Sequence, residues 1–212
     1  MKPGKSIRIH SAGGNHFSED RLLDTVELRL AEIVAETHPS CVAVLRDRLM
    51  SSFNEFGICL NISSGQICMA IEEALANAFY HGNLELDSNL KEDGSSRFAE
   101  LAKQRCQQAP WKDRQIRITE LATPYGVWLT ITDQGCGFDA ASAMKRSQDP
   151  NQLLASGRGL VMMRAFTDEL LFNTEGNEVT LVFYSSHNTD VAELLQERAR
   201  TRSLETPTRS LI

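Results

Sequence analysis

The spacing of apolar residues changes along this chain, and each change marks an element. From Glu19 to Ala35, Leu22, Leu23, Val26, Leu30, Ile33 and Val34 recur at three- and four-residue steps, the spacing of one helical face. Ser18 or Asp20 stands where a cap belongs, so the pattern predicts a helix running to about Ala35. Beyond Pro39, Val42, Leu45, Leu49 and Phe53 predict a second helix over 40–56. A third begins near Ser63 or Ser64, buries Ile67, Ile71, Ala74, Leu75 and Ala78, and ends near His81. Residues 84–113 are polar, with room for a helix at Ser96–Gln107. From residue 114 the period falls to two. Ile116 and Ile118, then Val127, Leu129 and Ile131, alternate on either side of Pro124-Tyr125-Gly126, predicting a hairpin of strands at 114–121 and 126–133. A Gly-rich polar loop over 134–157 leads into a helix at 158–167. Strands at 168–174 and 178–184 follow, joined by Glu175-Gly176-Asn177. At the ends, residues 1–18 read as loop around a short strand at Ile7–His10, and 187–212 as a polar tail with a short helix at 190–200.

Helices first, antiparallel hairpins after them, and one helix crossing between the hairpins predict an α+β two-layer sandwich. The expected sheet is mixed but mainly antiparallel, with helices on one face. Three parts are expected: an N-terminal extension with a helix (1–39), a globular domain (40–186) and the tail (187–212).

Composition narrows the function classes. The chain has 212 residues, 42% hydrophobic and 24% charged, enough for one domain with a sizeable core. Its net charge of -6 gives it no electrostatic reason to bind phosphate backbones, so no nucleic-acid partner is expected. No secretory signal and no membrane-spanning run occur, so the expected setting is cytoplasmic, without a membrane. Cys41, Cys59, Cys68, Cys106 and Cys136 are odd in number and contain no C-x-x-C pair, which predicts reduced thiols and no zinc site.

Three constellations carry candidate chemistry. The third helix holds Glu72, Glu73, Asn77, His81 and Asn83. Glu73, Asn77 and His81 are four apart, which keeps them near one face at the edge of the apolar stripe. A carboxylate and an amide oxygen there can activate a hydroxyl and ligate a hard cation such as Mg²⁺. Asp133-Gln134-Gly135-Cys136-Gly137-Phe138 follows a strand directly, where Asp133 can accept from an exocyclic amine such as that of adenine. Ser156-Gly157-Arg158-Gly159-Leu160 opens a helix, whose N-terminal N–H groups favour an anion. It is not a Walker loop, since no Gly-Lys-Ser/Thr follows. Taken singly, each also reads as an ordinary feature: a solvated helix face, a tight turn, a loop ending at a helix.

Their order is more specific. A polar helix, a strand ending in Asp-x-Gly-x-Gly, a Gly-x-Gly helix start and a last strand pair resemble the GHKL superfamily over about residues 40–185. That resemblance implies the Bergerat-type sandwich and Mg-ATP binding. Within the superfamily, Glu73-Ala74-Leu75-Ala76-Asn77-Ala78-Phe79-Tyr80-His81-Gly82-Asn83 and the Gly-Arg-Gly-Leu box look most like the anti-sigma-factor serine/threonine kinases. By that resemblance Glu73 is the general base and Asn77 binds Mg²⁺. Asp133, with Gly135 and Gly137, recognises adenine, assisted through water by Thr180. Gly157 and Gly159 contact phosphates, with His81 and Arg158 nearby. The stretch 138–156 is the ATP lid, carrying Lys145 and Arg146. The implied substrate is an anti-sigma-factor antagonist, a sigma factor is a further candidate partner, and related kinases suggest a homodimer. Two features depart from the family: the N-terminal helix and the long 84–113 insertion, a candidate partner surface or cover. The competing readings are a non-catalytic ATP- or partner-binding module, a detached histidine-kinase-like ATPase domain, and an ATP-driven clamp.

Overall fold

The computed structural model describes residues 17–24, 28–38, 40–56, 62–91, 96–146 and 158–186. Six strands form one sheet: β1 (Phe17–Asp24), β2 (Arg29–Glu36), β3 (Gln115–Thr123), β4 (Gly126–Thr132), β5 (Glu169–Phe172) and β6 (Glu178–Tyr184). Their spatial order is β1-β2-β3-β4-β6-β5. Every neighbouring pair is antiparallel, so the sheet is not mixed as expected. Among the described residues five α-helices accompany it: α1 (Cys41–Glu55), α2 (Ser64–Ala76), α3 (Arg97–Arg105), α4 (Ala140–Arg146) and α5 (Arg158–Ala165).

The core forms between one face of the sheet and the helices. Ala31, Ile33 and Ala35 of β2, Ile116, Ile118 and Ala122 of β3, Val127, Leu129 and Ile131 of β4, and Val179, Leu181 and Phe183 of β6 are buried on that face. Against them lie Cys41, Leu45, Leu49 and Phe53 of α1, one per turn, and Ile67, Ile71, Ala74 and Leu75 of α2. The start of α2 is set by a capping box. The Gln66 N–H donates to Ser63 Oγ at 3.3 Å, and the Ser63 N–H donates to Gln66 Oε1 at 2.9 Å. The opposite face of the sheet carries Thr119, Trp128, Thr130 and Thr180, exposed or half-buried. This is the α+β two-layer arrangement expected.

The N-terminal helix is not formed. Residues predicted as one helix over 19–35 make the β1–β2 hairpin instead. Their apolar residues fit a helical spacing, but β2 buries every second residue and pairs with β3 from Arg29↔Ala122 to Glu36↔Gln115. That ladder uses the backbone groups a helix would have paired internally. The hairpin is therefore part of the sheet, not an extension outside it. The loop predicted over 134–157 contains α4. The strand expected at Ile7–His10 and the tail 187–212 lie outside the described residues. Among the described residues no helix is long and apolar enough to cross a membrane. Cys41, Cys68, Cys106 and Cys136 are free thiols, and burial pushes Cys41 up to about 11.

A strand and a helix predict different responses here. Ile33→Ala empties a fully buried site and should cost about 2–4 kcal/mol. Val34→Ala, on the other face, should cost less than about 1 kcal/mol. Urea denaturation of the two variants measures both, and equal large losses would contradict the strand.

Candidate functional site

The site is built where α2 ends, β4 ends and α5 begins. After Ala76 the helix widens, and Asn77–Asn83 form a π-helical turn, a winding found often at functional positions. It closes with the Leu84 N–H donating to Phe79 O at 3.0 Å. Glu73 and Asn77 are half-buried one turn apart, as their spacing predicted.

The first turn of α5 packs on that pair. A Cβ placed on Gly159 would lie 2.6 Å from Glu73 Oε2 and 3.8 Å from Asn77 Nδ2. A side chain at 159 would displace the Glu73 carboxylate, so the second glycine box and the polar helix meet here. Arg158 is exposed at the same helix start. Gly157 lies outside the described residues, as do residues 147–156 of the expected lid.

Asp133 stands at the end of β4 and is 9% exposed. Burial pushes its carboxyl up to about 6, although the Gly135 N–H donates to Oδ1 at 2.8 Å and the charge of Arg114 pulls the other way. Its carboxylate lies against bare backbone: a Cβ on Gly82 would stand 2.3 Å from Asp133 Cγ. Gly135 is held equally tightly, since its Cβ would meet Gly82 O at 2.4 Å. Gly137 has a φ of +70° and faces Gly176, at +74°, in the β5–β6 turn. A Cβ on Gly137 would meet Glu175 O at 2.0 Å, and one on Gly176 would meet Phe138 O at 1.9 Å. The glycine loop and that turn are thus packed backbone to backbone.

Thr180 is not at this site, and its expected role in adenine recognition is corrected. Val179 and Leu181 point into the core, so the strand alternation turns Thr180 to the opposite face. There its hydroxyl bonds that of Thr130 at 2.9 Å. The neighbour of Asp133 on this strand pair is Asn177. The Asp133 N–H donates to Asn177 O at 2.9 Å, and Asn177 Nδ2 donates to Asp133 O at 3.2 Å. His81 turns to the insertion: Nδ1 donates to Leu86 O at 2.6 Å, and its ring lies 6.3 Å from that of Phe98.

The described part of the lid begins with Phe138, whose ring meets Phe172 edge-on at 5.6 Å. Asp139 then starts α4 by accepting the Ser142 N–H at 2.9 Å. Lys145 is exposed on α4, and nothing in the described geometry aims it at Glu73 or Asn77. A groove of about 750 Å³ runs between α4 and the β5–β6 turn, lined by Phe138, Met144 and Phe172 among others. None of Glu73, Asn77, Asp133 and Gly159 lines it.

Residues 35–183 match the sequence profile of the histidine kinase-like ATPase domain, more than half of the chain. The chain belongs to that family. No curated protein matches it. This histidine kinase-like domain is of the GHKL type, whose members use ATP, and the sandwich described above is their fold. Its donors suit a nucleotide. Glu73 on α2 and Asn77 just beyond it face a helix start that favours phosphate, and a buried carboxylate suits an exocyclic amine. Among the described residues no three His, Cys, Asp or Glu side chains gather as a metal cage. A Mg²⁺ ion at Asn77 would take most of its shell from phosphate and water, as that ion commonly does.

Sequence reasoning gave no role to Gly82, Asn83, Arg114 or Asn177. Asn83 and Gly82 were visible beside the polar helix. Arg114 carried no signal, because its partners lie far away along the chain.

The ionisation of Asp133 predicts a pH dependence. An amine donor prefers the carboxylate, so bound ATP would lower the Asp133 pKa below its value of about 6 in the free domain. Binding then releases a proton at acid pH, and affinity should fall as pH drops through 6, by up to about tenfold per unit. Calorimetry between pH 5 and 8 tests this, with Asp133→Asn expected to bind more weakly and to lose the trend.

Proposed function

We propose that this domain is an ATP-dependent serine/threonine protein kinase of the anti-sigma-factor type. Its substrate would be a small antagonist protein in a partner-switching pathway. The observation that carries the reading is the placement of the Glu73 carboxylate, which Gly159 brings to the helix start where phosphates would bind. A domain that only binds nucleotide has no need of a base at that point.

In this reading Asp133 accepts the adenine amine, with Gly135 and Gly137 shaping its loop. Gly159 and, by sequence, Gly157 present backbone N–H groups to the phosphates. Asn77 supplies an oxygen to Mg²⁺, which when bound neutralises charge on the phosphates. Glu73 accepts the proton of a serine or threonine hydroxyl as its oxygen bonds to the γ-phosphorus and the bond to the β-phosphate oxygen breaks. ADP leaves, and the phosphoryl group stays on the partner. Arg158 adds positive charge beside the phosphates. Sequestration of a sigma factor and assembly as a homodimer belong to the same proposal, as does a cytoplasmic setting.

Two variants separate catalysis from binding. Glu73→Gln should keep ATP affinity within about twofold and lower phosphoryl transfer to a serine-bearing antagonist by at least about a hundredfold. Asn77→Ala should weaken binding of ATP in Mg²⁺ far more than binding without it. Radiolabel transfer and calorimetry measure these effects. Undiminished transfer by Glu73→Gln would remove the base, and with it the kinase reading.

A further inference from the structure

Asn83 is fully buried at the end of the π-helical turn, and three elements meet on it. Its Oδ1 accepts the Gln134 N–H at 2.8 Å, directly beside Asp133. Its Nδ2 donates to Thr37 Oγ1 at 2.9 Å, just after β2. The Thr37 hydroxyl donates to Arg114 O at 2.6 Å, and Arg114 Nη1 returns a hydrogen bond to Asn83 O at 2.8 Å. These last three bonds close a ring through Asn83, Thr37 and Arg114. The polar atoms of the Asn83 amide are thereby engaged in a single orientation.

Arg114 reaches outward from this ring to the neck of the insertion. Its Nη2 bonds Glu85 Oε1 at 2.7 Å. Trp111 donates its indole N–H to the other oxygen of Glu85 at 3.1 Å. Arg105 donates to Leu84 O at 2.5 Å and Glu85 O at 2.7 Å, and stacks 4.6 Å from the centre of the Trp111 ring. Glu85 itself has a φ of +51°, among the described residues the one non-glycine residue in the left-handed region. Such a backbone persists where surrounding contacts over-determine it. Here the carboxylate and carbonyl of Glu85 are both held, and both holds come from the insertion or its far end.

We propose that Asn83 and Arg114 are positioning residues that couple the insertion to the nucleotide site. The insertion locks Glu85, Glu85 fixes Arg114, and the ring through Asn83 sets the Asp133-Gln134-Gly135 loop against Gly82. The long 84–113 segment is then a support of the adenine pocket, besides any partner it meets. This inference rests on the reading of Asp133 as the adenine acceptor, and its structural half stands without it.

Glu85→Gly tests the coupling outside the pocket. Glycine accepts a positive φ, so the backbone stays satisfied while the carboxylate is lost. Asn83→Asp keeps the acceptor for Gln134 and removes the donor to Thr37. Arg114→Lys keeps the charge but lacks the two-nitrogen fork by which Nη1 reaches Asn83 O and Nη2 reaches Glu85 Oε1. Each variant is expected to exchange the Gln134 amide hydrogen faster than wild type in the nucleotide-free protein, measured by NMR. Each should also weaken ATP by about tenfold with little change for inorganic triphosphate, so that preference for ATP over GTP narrows. A role confined to stability would lower the melting temperature and leave Gln134 exchange and the ATP:GTP ratio as in wild type, and that result overturns the proposal. If wild type itself binds no ATP, the adenine reading falls, and Gln134 exchange alone decides the coupling.

Discussion

A carboxylate held out of water at the end of a central strand governs the organisation of this domain. Raising Asp133 to about 6 corresponds to about 3 kcal/mol of disfavoured charge. That is the net cost, left after the Gly135 N–H and the nearby Arg114 have offset part of the desolvation. Backbone makes up much of the wall. Gly82 and Gly135 lie against the Asp133 carboxylate through main-chain atoms, while Asn177 holds the Asp133 backbone, so the carboxylate is enclosed with one N–H partner, Gly135. A buried acceptor of this kind remains available to a ligand donor, which is the condition for selecting one base over another.

The second close approach has a different character. At Gly159 the crowding atom is the tip of a flexible glutamate, not a main chain. The Asp133 end of the site is thus stiff and the Glu73 end adjustable. That division would suit the proposed kinase, in which recognition is geometric while a base follows a moving hydroxyl. The histidine kinase-like family supplies the frame, and the residues on that frame give this chain its own chemistry.

Much of the fold was legible because the period of burial was clean. The stripe of α2, the four-residue steps of α1 and the alternation of β3 and β4 all appear where the spacing put them. The β1–β2 hairpin was not legible. Leu30, Ile33 and Val34 satisfy a helical face, and the pairing with β3 that overrides it comes from distant sequence. Thr180 failed for a local reason: apolar neighbours on both sides already implied that it faces away from the core. Glu73, Asn77, Asp133 and Gly159 were legible as types; Gly159 meets Glu73 and Asn77 through packing of α5 on α2, and Asp133 meets the turn beyond α2 at Gly82. Asn83 was visible on the polar helix, but its role and that of Arg114 were hidden because a hydrogen-bonded ring joining three separate elements leaves no spacing in the sequence.

The pairing of Glu85 with Arg114 has an architectural consequence. These residues are the two ends of the excursion that holds α3, so the loop is pinched shut at its base. The entropy of closing such a loop depends weakly on its length once its ends are joined. What lies beyond the neck can therefore lengthen or shorten, provided that Arg105 and Trp111 still hold Glu85, that Leu86 and Ala102 still fill the core, and that Tyr80, which Phe98 now shields, stays covered. The neck makes this segment a natural point of diversification on an otherwise constrained scaffold.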